Sequence, residues 1–167
     1  MLLLGALASR AGAGLGGDSS SVTSDARTLG ASNASASAAA ADQPDSLPAA
    51  SNVQSFVLRS STGEKFTWRE FTTDTNLKVR EYVTPKGKVF GVAWQGPQPP
   101  DLHVLLSSFF GDWKAAAQSS RTQSIHHSEV RTSSLIVQMG GQMGFVTGRA
   151  WVPALVPQGV DAGETVR

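Results

Sequence analysis

The sequence predicts an α+β fold: a mostly antiparallel sheet of about five or six strands with one principal amphipathic helix. Three observations predict it. Short runs that alternate apolar and polar residues are separated by tight turns, and such connections are too short for parallel crossovers. One later run repeats its apolar residues at three- and four-residue spacing, the period of a helix with one buried face. All aromatic residues (7 Phe, 4 Trp and 1 Tyr) lie from Phe56 onward, so the core is expected there.

Residues 53–59 read as the first strand, with Phe56 and Leu58 on one face. Residues 60–63, Ser-Ser-Thr-Gly, form a turn by composition, and residues 65–72 the second strand. There Phe66 and Trp68 share one face, and Thr67, Arg69 and Phe71 the other. Asp74, Thr75 and Asn76 make the next turn. In the third strand, 78–83, Val79 and Val83 point inward and Arg80 and Tyr82 opposite. Thr84-Pro85-Lys86-Gly87 places Pro second and Gly fourth, as a tight turn prefers, and leads into a fourth strand over 88–95.

The Pro-rich segment 96–100 breaks the sheet, and Asp101 is placed to cap a helix by accepting free amide protons. Leu102, Leu105, Leu106, Phe109, Trp113 and Ala116 form its apolar stripe, with Gly111 as a weak point and an end near Gln118. Residues 119–128 read as a polar loop. Residues 134–139 and 143–152 read as strands joined by a hairpin turn at Gly140-Gly141, and Pro153 ends the second.

Both the 88–95 and 143–152 strands pair a bulky face with a small one. Phe90, Val92 and Trp94 oppose Val89, Gly91 and Ala93; Met143, Phe145 and Trp151 oppose Gly144, Val146, Gly148 and Ala150. The pattern leaves open which face the helix covers. It leads to the expectation that Trp94 and Trp151 lie side by side.

The N-terminal third has a different character. Residues 1–13 read as a signal peptide: a short apolar run, too brief for the ~20 residues of a membrane span, ends in the small-x-small pattern Ala11-Gly12-Ala13. No Lys or Arg precedes that run, and Arg10 sits just before the cleavage motif, so the true signal is expected to begin upstream of Met1. Residues 14–52 are dominated by Ser, Ala, Gly and Asp and read as a disordered spacer, leaving 53–167 as a single domain. Deleting 18–50 is then expected to leave the melting temperature nearly unchanged. These readings imply an exported chain, periplasmic or secreted, with no integral membrane span after signal removal.

A net charge of +1, with only 16% charged residues, offers no basic field to draw in nucleic acid. The absence of cysteine excludes disulfides, zinc thiolate sites, iron–sulfur clusters, thiol nucleophiles and a cysteine-linked lipid anchor.

The blocks VREYVTPKGKVFGVAWQGPQPPDL and MGGQMGFVTGRAWVPALVPQGV resemble the domain of unknown function 2844 family, small exported proteins of Burkholderia-type proteobacteria. The likeness runs from Phe56 to Val160 and extends to a Leu-Gly-Gly at the end of the signal and a Ser/Ala-rich spacer. Gln142 stands where the family pattern carries a His after the Gly pair, which argues against essential histidine chemistry there. The resemblance implies export and a small domain, and no activity, cofactor or catalytic residue.

The residues themselves name no catalytic group. Nucleophile elbow, phosphate loop and dinucleotide fingerprint are missing from the sequence. Adjacent His126 and His127 point apart on an extended chain, and His103 lies opposite the helix stripe, so no metal spacing emerges. Glu70 and Glu81 stand on neighbouring strands as a glycosidase pair would, although Arg69, Arg80 and Lys78 beside them favour cross-strand ion pairs. Trp68, Trp94, Trp113 and Trp151 are many for a small domain, and serve either as core or as stacking surface. The candidate ligand-contact aromatics are Trp94, Trp151, Phe90 and Phe145. No cofactor is indicated. The leading expectation is a non-catalytic envelope binding or interaction module whose partner is a glycan or a protein. The alternatives are a hydrolase or enzyme accessory acting on envelope glycans, and a purely structural secreted protein.

Overall fold

A computed structural model describes residues 14–31, 53–119 and 127–167. Its centre is one seven-stranded sheet, antiparallel throughout, in the order β1-β2-β3-β4-β7-β6-β5. The strands are β1 (Gln54–Arg59), β2 (Lys65–Thr72), β3 (Lys78–Val83), β4 (Val89–Gly96), β5 (His127–Arg131), β6 (Ile136–Gln142) and β7 (Phe145–Trp151). Helices α1 (Ser21–Thr28), α2 (Leu102–Leu106), α3 (Phe110–Ser119) and α4 (Ala162–Thr165) complete the fold.

Two meanders, β1–β4 and β5–β7, meet along the β4–β7 pairing. The first is set by the expected turns. Gly87 adopts φ 78° where Thr84 closes its turn onto Lys88 with a 2.8 Å backbone bond. The second differs in two ways from the reading of the sequence. Residues 127–131 form an extra strand, β5, because Val130 packs into the core and the backbone pairs with β6. One buried side chain in HSEVR gives too little alternation to announce a strand. The hairpin turn also lies later than expected. Strand β6 continues through Gly140 and Gly141, Gln142 pairs with Phe145, and the turn is Met143-Gly144 with Gly144 at φ 81°.

Asp101 caps the helical run as its residue type predicts: its side chain accepts from the His103 amide at 2.8 Å. The stripe Leu102, Leu105, Leu106, Phe109, Trp113 and Ala116 packs on the sheet. The run breaks at Ser107 (φ 48°) into a 3₁₀ turn, Ser107–Phe109, and not at Gly111.

The largest departure is at the N-terminal end of the domain. Residues 14–31 are not spacer. Leu15, Val22 and Ala26 are buried in the core, and the backbone docks beside β4 through bonds from Gly16 to Val89 (2.8 Å) and from Val89 to Gly17 (2.9 Å). Leu15 also donates to the Leu105 carbonyl at 2.9 Å. An eight-residue helix such as α1 has little stability of its own, so packing on the sheet creates it. The spacer reading of residues 32–52 and the signal reading of residues 1–13 lie outside the described residues.

The sheet therefore has two covered faces. One packs Phe71, Val79, Val83, Val92, Trp94, Val137 and Ala150 beneath 14–31 and the helical run. The other packs Phe66, Tyr82, Phe90, Ile136 and Trp151 beneath the C-terminal segment, through Ala162 and Val166.

Candidate functional site

A register shift between Tyr82 and Val83 decides where the aromatic residues go. Tyr82 pairs with Gly91 and Val83 with Val89, so Phe90 is an additional residue at a bulge. Phe90 is thereby separated from Val92 and Trp94 and joins the opposite face. Trp94 lies under the helices with its ring against Gly148, whereas Trp151 lies on the other face. The expected side-by-side placement of the two tryptophans is incorrect.

Burial also removes three of the four candidate contact aromatics. Phe90 is wholly buried, Trp94 is 4% exposed and Trp151 7% exposed. Phe145 alone stands out, 46% exposed beside the fully exposed Met143 at the β6–β7 turn. The small face of β7 does permit close approach, but to the Trp94 ring at Gly148.

An aromatic surface does exist, assembled from other residues. The register aligns Phe56 with Trp68 and Trp68 with Tyr82 across β1, β2 and β3. Phe56 and Trp68 stack with centroids 4.5 Å apart at 19°, and Trp68 and Tyr82 lie 6.4 Å apart at 18°. The Arg80 guanidinium sits 4.4 Å from the Trp68 ring centre. Glu70 holds that guanidinium through a 2.5 Å bond and also receives Lys78 at 3.4 Å. The Tyr82 hydroxyl donates to the Arg167 carbonyl at 2.8 Å, which fixes the inner end of the ladder. The outer end is accessible: Phe56 is 41% exposed, Leu58 is exposed beside it, and Trp68 is half-buried. A shallow hollow next to this shelf is lined by Lys78, Arg80, Gln95 and Arg167. The shelf thus offers a ring face with charged hydrogen-bonding groups along one side. Sequence alternation places Phe56 and Trp68 on their strand faces; the β1–β2 register that stacks them is a pairing the sequence leaves open.

The two glutamates do not make a catalytic pair. Glu70 is opposite Arg80 in the register and forms the expected ion pair. Glu81 lies on the other face, fully buried. Burial raises its pKa well above the usual carboxylate range, and the charge of Asp25 on α1 adds to the effect. Asp25, also fully buried, is pushed up to about 6 by desolvation. A perturbed carboxylate without access to solvent cannot meet a glycan.

His103 packs edge-on against Phe110 at 5.1 Å, His127 lies exposed on β5, and His126 falls outside the described residues. Among the described residues no cluster of His, Asp or Glu has the grouping that would hold a metal ion. No helix among them is long and apolar enough to cross a membrane.

The fold defines a small α+β domain. The family model for proteins of unknown function called DUF2844 matches residues 11–165, and the chain belongs to that family. No curated protein and no solved structure matches the chain significantly.

Proposed function

We propose that the chain is an exported, non-catalytic binding module of the cell envelope, and that the Phe56–Trp68 shelf is its ligand-contact surface. The stacked, partly exposed pair at the β1 edge carries this reading. A sugar ring presents an apolar face that packs on such a platform, while Arg80, Lys78 and Glu70 stand where hydroxyl and anionic substituents would lie. The export part of the reading is supported by the apolar run and the small-x-small motif at Ala11-Gly12-Ala13.

The test is a titration of the full chain with solubilised peptidoglycan fragments, following tryptophan fluorescence. Trp94 and Trp151 are buried and Trp113 packs with the helix-covered face, so a saturable change from the shelf is expected to come from Trp68 and to vanish in Trp68→Phe. A loss of about two- to tenfold in affinity is expected for Phe56→Ala, the size of one lost stacking contact. No saturable change with wild type, or full retention in both variants, would refute the shelf as the binding surface.

A further inference from the structure

Among the described residues, Asp25 and Glu81 are the charged residues with no solvent exposure. They come from α1 and β3 and face one another in the core beneath the N-terminal segment. No donor reaches any of their four oxygens in good hydrogen-bond geometry. Two adjacent buried carboxylates are costly unless a cation joins them or a proton is shared. Arg69 is opposite Glu81 in the register and its charge lowers the Glu81 pKa, but its guanidinium makes no hydrogen bond to either carboxylate and donates instead to the Ser19 carbonyl at 2.6 Å. The other group at the pair is the backbone nitrogen of Gly14, which stabilises the charged form of Asp25.

Gly14 is held tightly in this position. Its φ is 88°, and a Cβ there would lie 2.6 Å from the Leu105 carbonyl oxygen and also strike that of Val104. In the sequence, Gly14 directly follows the small-x-small motif Ala11-Gly12-Ala13. Hydrolysis of the Ala13–Gly14 bond adds one water. The hydroxyl goes to the Ala13 carbonyl and the hydrogen to the Gly14 nitrogen. The new carboxylic acid gives its proton up, and the new amine takes one, so the nitrogen beside Asp25 becomes an ammonium.

We propose that cleavage after Ala13 supplies the missing cation, and that the α-ammonium of Gly14 forms a buried ion cluster with Asp25 and Glu81. Processing then completes the core: in the precursor a single proton shared by the pair leaves one negative charge without a counter-ion, and in the mature chain the ammonium offsets it. The inference rests on the export reading above, and the experiment separates the two.

The chain is produced in an exporting bacterial host with a short basic segment placed before Met1, and its N-terminus is read by intact mass. A mature form beginning elsewhere than Gly14 overturns the inference along with this cleavage position, whatever the glycan titration shows. With Gly14 at the terminus, the amine is titrated by NMR after ¹⁵N labelling. Its pKa is expected above the ordinary ~7.7–8.0 by about one unit or more. Asp25→Asn with Glu81→Gln is expected to return it to the ordinary range. The melting temperature of mature wild type is expected to exceed that of the uncleaved Ala13→Leu precursor and to fall as pH rises through the raised amine pKa. An amine titrating at its ordinary value, with equal melting temperatures for the two forms, would overturn the ion cluster while leaving export intact.

Discussion

The two faces of the sheet are built on different terms. The helix-covered face is closed: Leu15, Val22, Val79, Val92, Leu105 and Leu106 are almost entirely buried, and a Cβ at Gly148 would strike the Trp94 ring. The aromatic face is buried at its centre by the C-terminal segment and open at β1, where all six strand residues are exposed. Burial therefore concentrates on one face, and exposed aromatic and apolar side chains at the edge of the other. Among the described residues β1 is an edge strand, and it carries exposed Phe56, Val57 and Leu58, apolar side chains that natural sheets ordinarily blunt at an edge. That combination is what the proposed contact surface rests on.

Substitutions on the two faces test the contrast. The largest expected effect is at Leu15. Leu15→Ala empties a fully enclosed site and is expected to cost about 2–5 kcal/mol in a urea unfolding curve. The same measurement tests whether 14–31 belongs to the domain, since a negligible change would place that segment outside it. Gly148→Ala comes next. The added methyl strikes the Trp94 ring, and a loss of about 1–3 kcal/mol is expected together with a changed tryptophan emission.

The acid pair follows, through pH. Asp25 is raised from 3.8 to about 6, so the folded precursor binds more protons than the unfolded chain between those values. Its contribution is fully present below the lower value and is lost as pH rises through the upper; Glu81, raised further by burial, extends the loss upward. In the uncleaved chain, Asp25→Asn with Glu81→Gln is therefore expected to gain stability relative to wild type as pH rises from about 4 to about 8. A flat difference across that range would show that the pair is not buried as described. The smallest effect is expected on the open face. Phe56→Ala removes one stacked and partly exposed ring, and about 0.5–1.5 kcal/mol of stability is expected to go with it. A loss as large as that of Leu15→Ala would make the shelf a second core.

Much of the fold was legible because local chemistry and global packing agree there. The β1–β4 meander follows from alternation and from Gly87 and Pro85 at their turn positions. The helix follows from the Asp101 cap and its apolar stripe. The candidate site was read less well, for a specific reason. Alternation assigned Phe90 to the face of Trp94, but a bulge changes parity without leaving a composition signal, and with it the supposed aromatic patch moved into two separate cores. Segment 14–31 was missed because its few apolar residues, Leu15 and Val22, are invisible against a Ser/Gly-rich background.

The sequence by itself determined the antiparallel meander, the capped helix and the lack of any thiol chemistry, since each follows from residue type and near-neighbour spacing. Only the tertiary structure decided which aromatics stack at the surface, that Asp25 meets Glu81 across 56 positions of chain, and that a Gly-rich segment belongs to the core. Those features depend on register, bulge and docking between distant segments, where the energy lies in contacts that no local pattern encodes.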